Sequence, residues 1–396
     1  MTRTQTDILI SGGGVAGLTA AAAFGTAGFT VTCVEPTPPI TDAATEGADL
    51  RTTAFLTPAV ATLQAAGLWT RLAPHASALQ VMRIIDMGSG EEPRQIKDFD
   101  AADLSDQPFG YNLSNWLLRR EMLARLAELP NVTFLSGLAT TALLTRDDSA
   151  LVTLSDGQQI EAKLVIAADG RNSTMRQAAG IAVKTLRYGQ NALTFAVTHP
   201  VPHRNISTEI HRSGGPFTLV PLPDLNGQPA SAVVWMDKAA ETQRRATLPD
   251  AEFEAEATTR SAQVLGPLTL ASRRTTWPII SQLAARMSGE RLALMAEAAH
   301  VLPPIGAQGL NTSLADLACL LDLAREMPLG SAQMLNTYHR RRHSEVTARV
   351  LGIDALNRTS MAENPALRDL RALGLNALHS LAPLRRTLMR AGLGLR

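Results

Sequence analysis

The chain has 396 residues, 45% apolar and 18% charged, with a formal net charge of +1; it is long enough for one two-lobed unit or two domains and too apolar to be disordered throughout. The balanced charge gives no support to a nucleic-acid partner. Two cysteines, Cys33 and Cys319, exclude a disulfide framework and a cysteine-based zinc site.

In chain order, the first feature is a run of 27 residues, 8–34, without a charge, long enough to span a bilayer as a helix. Six glycines within it, three of them adjacent, argue against a span, since each costs a helix interior about 1 kcal/mol relative to alanine. Asp7 and the lack of a cleavage site argue against a secretory signal. The run reads instead as a strand over 7–11, a turn over 12–17, a helix over 18–27 ended by Gly28, and a second strand over 29–34 closed by Glu35.

Downstream, 57–69 has helical spacing, 81–86 reads as a strand, and 88–108 is acidic and mixed, an excursion or flexible cover. A helix follows over 114–129 with Ser114 as cap. Short strands follow at 132–136, 139–145 and 151–154, and a more buried one at 164–168. From 188 to 277 the texture changes to strand-like runs (192–197, 217–222, 232–235) between Pro/Gly turns, with a polar helix at 250–264. A strand at 292–295 and helices at 310–325, 331–350 and 366–390 complete the chain. The predicted class is α/β, with a Rossmann-like βαβ cofactor lobe over 1–187 and 281–330. A largely antiparallel substrate lobe is inserted at 188–280, and helices occupy 331–396.

Three stretches carry chemistry. The first is the turn Gly12-x-Gly14-x-x-Gly17, with Glu35 eighteen residues on at the end of the second strand. In a dinucleotide site such glycines permit the tight turn, the approach of the pyrophosphate, and close helix packing. The acidic residue accepts hydrogen bonds from the adenosine ribose, favouring FAD or NAD over a 2′-phosphorylated cofactor. The second stretch runs from Asp169-Gly170 to Arg176, directly after the buried strand; the third runs from Glu297 through His300, Pro303, Pro304 and Gln308 to Asn311, leading into a helix. A strand's carboxyl end and a helix start both suit the polar edge of a bound nucleotide.

On these three motifs, and on Asp49-Leu50-Arg51, Asn115 through Arg119 and Tyr188 through Ala192, the sequence resembles the aromatic-ring flavoprotein monooxygenases, nearest to their ubiquinone-biosynthesis hydroxylase branch. The resemblance spans nearly the whole chain and implies a glutathione-reductase-type fold with one extended FAD. By that resemblance Gly12, Gly14, Ala16 and Gly17 hold the pyrophosphate and Glu35 the ribose. Arg51, Asn115 and Arg119 lie beside the cofactor's middle, Asp169 beside the nucleotide, and Glu297 opposite the ribityl-phosphate region. Pro304, Ala307, Gln308, Gly309, Leu310 and Asn311 pass the isoalloxazine. Two positions depart from the family: Ala296-Glu297 stands for a Gly-Asp pair, and Ala307 for the glycine before Gln308.

The resemblance further implies that NADH or NADPH reduces FAD transiently, O2 adds to give a flavin C4a-hydroperoxide, and a polyprenylated phenol in ubiquinone biosynthesis is hydroxylated. The cofactor carries the difficult chemistry, so no nucleophile, triad or metal site is expected; Pro304, Gln308 and His300 are nearby positioning candidates. Rival readings are a hydroxylase of a small soluble phenol, a flavin-dependent isoprenoid reductase, and a non-catalytic flavin-bearing subunit. Trp235 and Trp277 read as core, and Cys33 and Cys319 as inert.

The C-terminal region 331–396 holds eleven Arg, no Lys and four acidic residues, a net +7 against −6 for the remainder. Leu367, Leu370, Leu373, Leu378, Leu381 and Leu384 recur near helical spacing beside Arg368, Arg371, Arg385 and Arg386. Such a helix suits either a cap packed on the cofactor lobe or an anionic bilayer. The expectation is a cytoplasmic protein, peripheral on the inner membrane face, in contact with other ubiquinone-biosynthesis proteins.

Overall fold

The uncharged N-terminal run folds as β1 (Thr4–Ser11), α1 (Val15–Thr26) and β2 (Val31–Glu35). Ile8, Leu9 and Ile10 are fully buried, because a parallel sheet covered on both faces leaves its central strand no wet side. The structure, a computed structural model, describes residues 4–88, 90, 92–212, 214–361, 376 and 379–394. Among them no helix is long and apolar enough to cross a membrane.

β1 pairs in parallel with β2 on one side and with β11 (Gln159–Ala167) on the other. β8 (Val132–Ser136) extends the sheet beyond β2, and β19 (Leu292–Leu294) with β18 (Ser288–Gly289) extends it beyond β11. The hairpin β9 (Thr140–Thr145) and β10 (Ala150–Leu154) pairs with β11 off this path. The sheet is covered by α1, α4 (Asn115–Ala127), α8 (Gln308–Glu326) and α9 (Ala332–Met361). The late strand β19 therefore completes a sheet begun by β1, and the second lobe is an insertion between them.

Among the described residues, that second lobe is a nine-stranded sheet. Its spine is β17 (Thr275–Ala284), β12 (Val183–Thr198), β15 (Gln228–Lys238), β14 (Pro216–Leu225) and β13 (Ile206–His211), antiparallel throughout. Alternation gives it two faces. One face carries Phe195, Phe217 and Trp235 onto Phe253 and Ala257 of α7 (Asp250–Arg260). The other carries Ala192, Met236 and Ile279 onto Leu302 and Ile305 of the loop before α8, and onto Ile353 of α9.

Two further strands join this sheet from within the expected first part, 1–187. β5 (Val81–Asp86) pairs in parallel with β13, and β6 (Gln95–Asp100) pairs with β5. The stretch 88–108, expected as an excursion, thus contains an edge strand. β20 (His300–Val301), from 281–330, also pairs into this sheet, on β17. A third sheet of β3 (Thr52–Leu56), β7 (Gly110–Ser114) and β4 (Ser77–Leu79) stands between the lobes, β7 and β4 against β14.

Trp235 is buried as expected, and Cys33 is fully buried in β2, where burial pushes its thiol far up. Burial likewise raises the Cys319 thiol, which disfavours the thiolate form of both. The C-terminal helix Ala382–Leu393 is described. Leu367, Leu370, Leu373, Leu378, Arg368 and Arg371 of the expected final helix lie outside the described residues.

Candidate functional site

β1 ends at Ser11 and the chain turns through Gly12 at φ +104°. A Cβ on Gly12 would overlap the Ala168 carbonyl, and one on Gly17 would overlap the Gly12 carbonyl, so turn, helix and sheet meet with no room for side chains. Gly14 differs: nothing lies within 4 Å of where its Cβ would point. It is also the N-cap of α1, with no side-chain cap and no acidic residue in the first turn, which leaves the helix's first N–H groups available to an anion. The Glu35 carboxylate reaches back over this turn, accepting from Gly13 N at 2.5 Å and from Thr37 N at 3.1 Å.

Arg51, Asn115 and Arg119 converge on Asp49. Arg51 donates to it through Nε and Nη2, both at 2.7 Å, Asn115 Nδ2 at 3.0 Å and Arg119 Nη2 at 3.4 Å. Burial works to raise the Asp49 carboxyl. The hydrogen bond and charge of Arg51, with Asn115 and Arg119, overcome burial and hold the group below its ordinary value. The Arg51 guanidinium also lies 5.0 Å over the Trp277 ring. Trp277, expected as core, is half-buried: it packs against the Ala192, Met236 and Ile279 cluster and offers its ring to Arg51 as well.

At the carboxyl end of β11, Asp169 Oδ2 accepts from Met175 N at 3.2 Å, capping α5 (Thr174–Ala178). Its Oδ1 is buried without a partner. Neighbouring Arg171 stands 3.6 Å from Glu297, whose side chain is 54% exposed. Ala296, before Glu297, has φ +54°. The departure from glycine therefore falls on a left-handed residue.

Ala307, the second departure, also lies in the left-handed region at φ +57° and is the N-cap of α8, again with no side-chain cap. Space beyond Gly309 is open where a Cβ would point. Asn311 ties this helix start to β3: it accepts from Leu56 N at 2.8 Å and donates to Ala54 O at 2.7 Å and Ala307 O at 2.6 Å. Gln308 Nε2 donates to Gly306 O at 2.8 Å and to Gly392 O of the C-terminal helix at 3.0 Å, while its Oε1 accepts from Arg349.

His300 is tied away from the helix start. Its Nε2 meets Asp316 Oδ2 at 2.6 Å, and Arg342 Nε donates to Asp316 Oδ1 at 2.7 Å, all three residues being buried. Sequence reasoning found His300 and missed Asp316 and Arg342, which sit on two later helices. Among the described residues no group of His, Cys, Asp and Glu is arranged to hold a metal ion.

The residues present fit a flavin dinucleotide. Two uncapped helix starts, open space beyond Gly14 and Gly309, a carboxylate over the glycine turn and an orphaned Asp169 oxygen are donors and acceptors that await one extended polar ligand. A dinucleotide-binding lobe that faces an antiparallel sheet across its carboxyl edge seats a ligand between the two, and the family match and the relatives make the class a flavin-dependent monooxygenase. The chain matches the FAD binding domain family over residues 5–351 and belongs to that family. It is 33% identical to the ubiquinone hydroxylase UbiL of Rhodospirillum rubrum, over 98% of this chain and 89% of that one. It is 30% identical to the 3-demethoxyubiquinol 3-hydroxylase of Escherichia coli over the full length of both. In fold it is similar to p-nitrophenol 4-monooxygenase PnpA of Pseudomonas putida, with TM-score 0.80, 19% identity and full coverage of both chains.

Proposed function

We propose that this flavin-dependent monooxygenase hydroxylates the aromatic ring of a polyprenylated phenol in ubiquinone biosynthesis, using O2 and a transiently docking NADH or NADPH. The observation that carries the reading is the packing of Leu302 and Ile305, in the loop before α8, against Ala192 and Met236 of the second sheet. A ring held between that loop and the sheet would lie beside the start of α8, whose residues would hold the flavin ring. FAD, when bound, supplies the electron transfer and oxygen activation. The chain's residues bind, orient and exclude water. Gly12, Gly14, Ala16 and Gly17 receive the pyrophosphate, Glu35 the ribose, and Arg51, Asn115, Arg119, Asp169 and Glu297 the middle of the cofactor. Pro304 and Ala307 through Asn311 border the ring.

The C-terminal helix supports contact with an anionic membrane, where a prenylated substrate resides. Its inner side is held by Arg385 on Asp103 at 3.1 Å and by buried Met389. Leu381, Leu384 and Leu388 are exposed beside exposed Arg386 and Arg390, the pattern of an interfacial helix. The test is oxygen-dependent conversion of a short-tailed 2-prenylphenol by FAD-loaded protein, with mass spectrometry locating the new hydroxyl. Co-sedimentation with phosphatidylglycerol vesicles, before and after replacing the three leucines by serine, tests the membrane contact.

A further inference from the structure

An acid–imidazole pair lies on the face of the second sheet that meets the loop before α8. Ile210 of β13 belongs to the apolar layer on the α7 side, so its neighbours Glu209 and His211 lie on the opposite face. Register places Glu209 in one transverse row with Thr218, Val234 and Thr194. Val234 packs with the cluster that includes Leu302 and Ile305. From Val234 to Glu209 is two strand spacings, about 10 Å, the scale of one aromatic ring with a hydrogen bond at its far edge. The row between them carries only the small side chain of Thr218.

Glu209 Oε1 and His211 Nε2 are 2.8 Å apart, with side chains only 7% and 13% exposed. In the neutral imidazole a carboxylate at Nε2 favours the tautomer with its proton there, and Nδ1 is then a lone-pair acceptor. That Nδ1 is buried and has no partner. Buried acceptors are normally satisfied, and this one lies on the face where the proposed function seats an aromatic hydroxyl.

We infer that His211 Nδ1 accepts the hydrogen bond of the substrate's ring hydroxyl, with Glu209 fixing the tautomer that permits it. This rests on the phenol-hydroxylase reading above. The pair anchors one edge of the ring on β13 and presents the remaining ring carbons towards the α8 start. It also selects a free hydroxyl over an ether, since an O-methyl group brings no proton and leaves Nδ1 unpaired.

The experiment uses FAD-loaded protein, 2-prenylphenol and its O-methyl ether, with binding read from the perturbation of flavin absorbance. Wild-type protein is expected to prefer the phenol by roughly tenfold or more. His211→Phe is expected to bind the two alike, and His211→Gln, whose carbonyl can accept, to recover part of the preference. In wild-type protein, nitrogen NMR of labelled histidines is expected to show one imidazole acceptor signal moved by the phenol and unmoved by the ether; this holds whether or not a variant folds. An unchanged preference in His211→Phe, or no moved imidazole signal, overturns the assignment while phenol turnover persists. Wild-type protein that neither binds nor hydroxylates the phenol overturns the functional reading and this inference with it.

Discussion

Gln308 Nε2 donates to the Gly392 carbonyl at 3.0 Å, joining the first residue of α8 to the end of the C-terminal helix. The helix's own Arg385 pairs with Asp103, just beyond β6 at the far edge of the second sheet, at 3.1 Å, and just before the helix Asn376 accepts from Lys97 at 2.8 Å and His379 packs edge-on against Phe99 at 5.4 Å. The C-terminal helix therefore bridges the loop before α8 and the substrate lobe. Removal of residues 382–396 is expected to leave the cofactor lobe folded and to raise iodide quenching of bound FAD severalfold. Unaltered quenching in the truncated protein would show that the helix does not shield the site.

Gly14 and Gly17 separate binding from folding. Gly14→Val places its side chain in open space where the pyrophosphate fits, so the protein should fold with near-native circular dichroism and lose FAD. Gly17→Ala pushes a methyl into the Gly12 carbonyl and should lose both fold and FAD. Equal FAD retention by Gly14→Val and wild type would contradict the placement of the phosphates.

Ala296 and Ala307 hold left-handed conformations that cost an L-residue about 1–2 kcal/mol. Glycine relieves this at an entropic cost of about 0.5–1 kcal/mol. Each Ala→Gly change is therefore expected to stabilise the protein slightly, with a Tm rise of about 1–2 °C. A fall in Tm would mean that the methyl groups make packing contacts worth more than the backbone strain.

Asp316 joins His300 to Arg342 with all three buried. Asp316→Ala removes the buried partner of Arg342 and leaves its cation to the part-exposed Glu345 at 2.6 Å alone, which should cost about 3 kcal/mol in urea unfolding. Replacing Asp316 and Arg342 together by leucine and methionine should recover much of that loss. A double variant no better than Asp316→Ala would contradict the charge argument.

The Asp49 carboxyl is held below its ordinary value of 3.8. Its extra stability is fully present above that value and is lost as pH falls through the lower folded value. Between pH 5 and about 2, wild-type protein should lose more stability than Asp49→Asn. Parallel acid-unfolding curves would contradict the role of Arg51 and Asn115 in holding Asp49 ionised.

The glycine turn, Glu35 and the motifs at Asp169 and Glu297–Asn311 were legible because each is local: a strand, a turn and a helix start within a few residues. What escaped depends on partners distant in the chain. Gln95–Asp100 reads as a charged excursion, yet β5, itself paired with β13, recruits it as an edge strand. Asp316 and Arg342 are single charges in helical stretches, and only the fold brings them to His300. Glu209 and His211 were open to a period-two reading of 206–211, but which face meets the α8 loop depends on the register with β14 and β15.

The central claim is that this chain inserts oxygen from O2 into the ring of a prenylated phenol. FAD-loaded protein given NADH or NADPH, 2-prenylphenol and isotopically heavy O2 tests it most directly, with the product's mass and fragmentation as readout. The account predicts one heavy oxygen atom bound to a ring carbon. Reductant oxidation with no labelled product, or reduction of the prenyl chain in its place, would contradict it.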